Sequence, residues 1–266
     1  MASSKRTALI TGASSGLGAE FACQLAANGY DLVLTARRED RLQQLAESLQ
    51  TRYPISLTIF PADLSNLTDI EQLASTISNL PQLDLLVNNA GFGTVGRFYR
   101  VDPAKELAML NVHITASVML SRAALPGMLS CNQGGIINVS SMAGLVPIRN
   151  VLYHSTKAFL ISFSEVLSNE LRGTGVCVQA LCPGFTITEF HDTPEYTRFT
   201  RRSIPRFLWL TSKQVVAESL TSLPTGKLVC IPGTVYKIGG AFARNSFSAG
   251  IIKYIAGLII NKPKAL

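Results

Sequence analysis

The 266-residue sequence predicts an α/β fold: a doubly wound parallel sheet of about seven strands in a single domain. Three observations predict it. Short apolar runs alternate with helical stripes along the whole chain. The runs are continuous, not alternating, as in strands covered on both faces. A glycine-rich turn follows the first run. The strand candidates are Thr7–Thr11, Asp31–Ala36, Ile55–Phe60, Leu83–Asn88, Gly135–Ser140, Val176–Leu181 and Leu228–Ile231. Between them, Leu42, Leu45, Ala46 and Leu49 fall at helical spacing, as do Ile70, Leu73, Ile77 and Leu80, and Leu107, Leu110, Ile114 and Val118. No linker, repeat or low-complexity tract divides residues 1–266.

The first strand ends in Thr11-Gly12-Ala13-Ser14-Ser15-Gly16-Leu17-Gly18, and a helix with Phe21 and Leu25 on one face follows. Glycines permit a tight turn and bring backbone close to a pyrophosphate, which a helix N-terminus holds through its free N–H groups and dipole. The second strand ends in Thr35-Ala36-Arg37-Arg38. An acidic residue there would accept hydrogen bonds from a ribose 2′-hydroxyl; alanine followed by two guanidinium groups suits a 2′-phosphate. Tyr153 and Lys157 stand four apart at the start of a helix whose apolar face continues through Phe159, Phe163, Val166 and Leu167. That spacing stacks phenol and ammonium on one helix face, where the cation favours phenolate and lowers the tyrosine pKa.

The spacing TGxxxGxG, with Asp63-Leu64 after the third strand, Asn88-Asn89-Ala90-Gly91 ending the fourth and the Tyr-xxx-Lys pair, resembles the short-chain dehydrogenase/reductase family. The resemblance runs over residues 5–235 and implies a Rossmann-like oxidoreductase that moves a hydride between NADP(H) and a carbonyl/alcohol substrate. It implies a catalytic tetrad of Asn111, a serine, Tyr153 and Lys157. Two cues place the serine one residue apart: the small-residue turn Met142-Ala143-Gly144 selects Ser141, the commoner spacing to Tyr153 selects Ser140, and we take Ser141. The cofactor would contact Gly12, Ser14, Ser15, Gly16, Leu17, Gly18, Arg37, Arg38, Asp63, Leu64, Asn89, Ala90, Gly91, Tyr153 and Lys157. After the sixth strand it would meet Pro183, Gly184, Thr186 and Thr188, from a stretch similar to the family's PGxxxT.

Residues 185–211 interrupt the rhythm with six aromatics and four arginines and no clean strand, which reads as a substrate lid for a bulky apolar ketone or 3-oxoacyl compound. The formal charge of +7 is uneven: residues 1–195 carry a net −3, and residues 196–266 a net +10. No nucleic-acid motif accompanies the basic block. The basic and apolar extension 240–266 admits three readings: a helix on the lid, a subunit contact, or a peripheral membrane anchor. No stretch reads as transmembrane. Five scattered cysteines without a CxxC pair fit a reducing cytoplasm and hold no metal site. His113, His154 and His191 receive little weight, since the first two point away from their functional neighbours on a helix. A homo-oligomer is a family expectation. The rival reading is a non-catalytic NADP(H)-binding regulatory or scaffold protein of the same fold.

Overall fold

The computed structural model describes residues 5–146, 150–192 and 201–243. Its strands are β1 (Thr7–Thr11), β2 (Asp31–Ala36), β3 (Leu57–Pro61), β4 (Leu85–Asn88), β5 (Gly134–Val139), β6 (Val176–Leu181), β7 (Thr186–Ile187), β8 (Leu210–Thr211) and β9 (Val229–Cys230). The helices are α1 (Gly16–Ala27), α2 (Glu39–Arg52), α3 (Leu67–Ser78), α4 (Pro103–Leu110), α5 (Ala116–Ser130), α6 (Val151–Glu170), α7 (Ser212–Ser222) and α8 (Thr234–Ala243). Seven strands form one parallel sheet in the order β3-β2-β1-β4-β5-β6-β9. The order reverses beside β1, so the carboxyl ends of β1 and β4 open a crevice there.

Continuous apolar strands make sense in this sheet. Ala8, Ile10, Leu32, Leu34, Leu85 and Val87 pack in one core with Phe21, Leu25 and Val215; Leu9, Val33 and Leu86 pack in another with Ile70, Leu73, Leu120 and Met128. Each strand therefore buries both faces.

Three expectations change. The lid does contain strands: β7 and β8 pair in parallel at its two ends, Thr186 with Leu210 and Ile187 with Thr211. Two-residue strands carry no periodicity, so the sequence cannot announce them. Second, the stripe Leu107, Leu110, Ile114 and Val118 is not the buried face. Leu107 is 62% exposed, while Met109, Val112, His113, Ala116 and Leu120 are buried. A π-turn over Asn111–Thr115 joins α4 to α5 and shifts the buried face round the axis. Third, α6 buries Thr156, Lys157, Leu160, Ile161, Ser164 and Leu167, leaving Phe159 and Val166 on the surface.

The helical run Pro103–Ser130 contains an 18-residue window of mean hydropathy 1.2 and is by length and composition long and apolar enough to cross a membrane. In this fold its apolar side covers the sheet through Leu120, Ala124 and Met128. Most of the 240–266 extension, from residue 244, lies outside the described residues.

Candidate active site

The glycine turn leaves β1 through Gly12 (φ +66°) and Gly16 (φ +57°), in the left-handed region that glycine adopts without strain. A Cβ on Gly12 would lie 2.8 Å from Cα of Ala90, and one on Gly18 2.3 Å from the Gly12 carbonyl oxygen. The Thr11 hydroxyl accepts from the amides of Asn89 and Ala90, both at 2.9 Å, and the Asn89 side chain donates to the Thr11 carbonyl at 2.8 Å. The ends of β1 and β4 are thereby sewn together. Ser15 precedes α1 but makes no side-chain cap, so the first-turn amides of this helix have no side-chain acceptor. Closely approached glycines and an uncapped helix start fit a pyrophosphate.

At the end of β2, Ala36 is buried and Arg37 exposed. Arg38 swings over the turn and donates to Ser14 (3.1 Å) and Ser15 (2.9 Å). Arg41, in the first turn of α2, shares a carboxylate with it: Glu189 accepts from Arg38 at 3.3 Å and from Arg41 at 2.7 Å. Those guanidinium groups hold the Glu189 carboxyl below its usual range. The two guanidinium groups thus share one carboxylate at the end of β2, with donors of the kind an anion uses. Asp63 follows β3, with one oxygen taken by the amide (3.0 Å) and hydroxyl (2.8 Å) of Ser65, and Leu64 is buried beside it.

Ser141, Tyr153 and Lys157 converge. The Ser141 hydroxyl lies close enough to the Tyr153 phenol to favour its ionised form, against the effect of burial. It also accepts from the Ala143 amide at 3.1 Å. Ser140 is committed elsewhere, donating at 2.6 Å to the Lys157 carbonyl. Lys157 donates through Nζ to the Val139 carbonyl at 2.7 Å and lies 5.7 Å from the Tyr153 ring centre. Burial dominates both titrations: it pushes Tyr153 up to about 12, against the opposing Ser141 hydroxyl, and Lys157 down to about 7. The lowered tyrosine expected from the ammonium is thus not present in the protein alone.

Asn111 is not brought to this group by its side chain, which donates to the Ser65 carbonyl at 2.9 Å and accepts from Thr115 at 3.3 Å. His113 is. On the opposite side of the π-turn, it is 1% exposed, accepts from the Phe92 amide at 3.1 Å and meets the Thr156 hydroxyl at 2.8 Å. Its ring stands edge-on to Tyr153 at 5.8 Å. Pointing away from Asn111 means pointing at α6, which the helical-wheel argument could not show. Burial and the neighbouring Lys157 push His113 well below its usual pKa, so it is neutral. His154 bonds the Ala143 carbonyl and braces the serine turn. His191 belongs to the short turn Glu189–His191. Gly91 lies against His113 and Lys157, where a Cβ would be 2.8 Å from the imidazole.

Beyond β6, the Met142 amide donates to the Pro183 carbonyl at 2.9 Å, joining the serine turn to the lid's entry. A Cβ on Gly184 would collide with the Tyr236 ring at 2.0 Å. Tyr236, another residue missed from sequence, clamps both lid ends: its hydroxyl accepts from the Phe185 amide (3.0 Å) and donates to the Leu208 carbonyl (2.6 Å). Thr186 is buried and bonds the Gly184 carbonyl; Thr188 packs against Gly16. Phe190 lies 5.9 Å from the Tyr153 ring, and Phe185 5.5 Å from Trp209. Among the described residues no His, Cys, Asp and Glu group could hold a metal.

The sequence profile of the short chain dehydrogenases matches residues 6–196. The chain belongs to the short-chain dehydrogenase/reductase family. It is 32% identical over 187 residues to a very-long-chain 3-oxoacyl-CoA reductase-A of Danio rerio, a match spanning 68% of this chain and 58% of that one. Among solved structures, it is similar to a short-chain dehydrogenase from Sphingobium yanoikuyae in complex with NADPH (28% identity, 98% of each chain, TM-score 0.81). It is also similar to a bulky-bulky ketone specific alcohol dehydrogenase from Comamonas testosteroni (26% identity, 98% of this chain and 96% of that one, TM-score 0.77). As a family member this chain is an oxidoreductase acting on a CH–OH/C=O group, with NADP(H) as cofactor. The glycine cradle would hold the pyrophosphate, and the arginine corner the 2′-phosphate.

Proposed function

We propose that the chain interconverts a bulky apolar ketone, or a 3-oxoacyl compound, and its alcohol. The convergence of Ser141 and Tyr153 at one hydroxyl pair, with Lys157 one helical turn on, carries this reading. Bound NADP(H) supplies or accepts the hydride. Tyr153 Oη gives a proton to the carbonyl oxygen in reduction and takes one from the alcohol in oxidation. Ser141 Oγ donates to the same oxygen and orients it. Lys157, kept beside the phenol, lowers its pKa whenever it carries a proton and fixes the ribose. Asn111 completes the tetrad as the residue that holds a water near Lys157, and its side chain ties the π-turn to the Ser65 carbonyl.

An apolar substrate is supported by Phe190 over Tyr153 and by the Phe185–Trp209 pair. Arg201 is bonded to Asp192 (2.6 Å) and the Thr188 carbonyl (2.7 Å), so it is not available as an anion clamp; Arg202 and Arg206 are exposed candidates for that role. Arg198 lies outside the described residues. The five cysteines, none of them in a disulfide, suit a cytoplasmic setting. For self-association we assign the outer face of α6, where Phe159 and Phe163 stack and Val166 is 64% exposed.

Absorbance at 340 nm with NADPH, across neutral bulky ketones and 3-oxoacyl thioesters of equal length, tests the proposal. Turnover of either class supports it, and preference for the thioester favours the arginine clamp. Binding of NADPH without turnover on any carbonyl would favour the regulatory reading.

A further inference from the structure

The lid turn Glu189–His191 touches both ends of the site. Glu189 is held by Arg38 and Arg41 at the 2′-phosphate corner. Its neighbour Phe190 packs on the Tyr153 ring. Thr188, before them, rests on Gly16 of the phosphate turn. The turn is tied onward: Arg201 binds the Thr188 carbonyl and Asp192, and its guanidinium lies 5.9 Å from the ring of Trp209, the only tryptophan in the chain.

We propose that Glu189 is an internal occupant of the 2′-phosphate site, with Arg41 as the second arginine of that site, so that only the phosphorylated cofactor releases the lid turn from Tyr153. The proposal rests on the NADP(H) reading of the corner. A carboxylate and a phosphate monoester compete for the same guanidinium donors, and two anions at one corner repel each other. The dianion is the stronger ligand, and the glutamate is weakly held: its side chain is 53% exposed, and Arg38 and Arg41 are 42% and 41% exposed, so water screens the pairs. Once the phosphate takes the arginines, Glu189 loses its partners and faces a like charge. The turn then moves out and carries Phe190 off the phenol, which clears the place of the substrate carbonyl. NADH lacks the group that does this. Cofactor discrimination therefore has two parts, attraction to the arginines and removal of a block.

Calorimetric titration of the full chain with NADPH, NADH, adenosine 2′,5′-bisphosphate and ADP tests this without turnover. Glu189→Gln should tighten the two 2′-phosphorylated ligands by about two- to fivefold and leave NADH and ADP unchanged. Arg41→Ala should weaken the 2′-phosphorylated ligands by about tenfold, again selectively. Trp209 emission should shift on adding the bisphosphate to the wild type, and free Glu189→Gln should already show that shift. If Glu189→Gln binds NADPH no better, or tightens NADH equally, Glu189 does not occupy the site and the inference falls. If Arg38→Ala abolishes a wild-type NADPH preference while Glu189→Gln does nothing, this inference fails alone. A wild type without NADPH preference overturns it together with the NADP(H) reading.

Discussion

Lys157 shows how much of this site is set by burial. The residue is 4% exposed, and burial takes its pKa down to about 7, against 10.5 for an ordinary lysine. Above pH 10.5 it is neutral in both folded and unfolded chains. Between that value and about 7 the unfolded chain takes up the proton first, so folding stability falls as pH falls, and the penalty is complete below about 7. Lys157→Met removes the penalty, of order 3–5 kcal/mol for such a shift. Urea unfolding at pH 10 and pH 7 should show the variant gaining on the wild type at the lower pH; a constant difference would contradict the assignment. His113 makes a second prediction. Leucine in its place leaves the Phe92 amide without its acceptor and the Thr156 hydroxyl with only the Tyr153 carbonyl, at a cost of about 1–3 kcal/mol, read as a lower urea midpoint at pH 7. An unchanged midpoint would mean that neither bond matters. Nothing in the sequence marked this histidine, because spacing along one helix does not say which second helix faces it.

Among the elements, strands were legible and their ends less so. The bounds of β1, β2 and β6 coincide with their apolar runs. Ile55 and Leu83 are buried but lie outside β3 and β4, because apolarity reports burial and not ladder pairing. The π-turn was invisible, since a helical wheel assumes constant pitch, and it moved the buried stripe of α4 and α5. The lid's position between β6 and α7 was legible from its aromatic and basic composition. What holds it was not: Tyr236 is a single aromatic on a distant helix, and only the fold brings it to Phe185 and Leu208. Tyr236→Phe keeps the ring over Gly184 and removes one hydroxyl that serves two lid groups. The expected loss is about 1–2 kcal/mol, confined to the lid. Hydrogen exchange should therefore speed up at the Phe185 amide and stay unchanged in β1 and β4; uniform acceleration would show that the clamp supports the whole fold.

At the scale of the molecule, the topological reversal beside β1 brings four separate segments to one crevice: the glycine turn, the arginines after β2, the Asn89 loop and the start of α6. The first three leave strand ends, and their residue types and spacing are what the sequence displays; the start of α6 follows the serine turn after β5. The residues that escaped, Arg41, His113, Glu189 and Tyr236, each act across a tertiary contact between segments far apart in the chain. The net +10 of residues 196–266 includes the lid's four arginines, while Arg37, Arg38 and Arg41 belong to the net-acidic part of the sequence. In the proposed reaction Tyr153 moves the proton for NADPH-linked carbonyl reduction. The most direct test compares wild type with Tyr153→Phe, using a substrate the wild type turns over and measuring NADPH affinity in parallel. A fall in kcat of about 10²–10⁴ with NADPH affinity retained is the predicted result; full activity in the phenylalanine variant would contradict it.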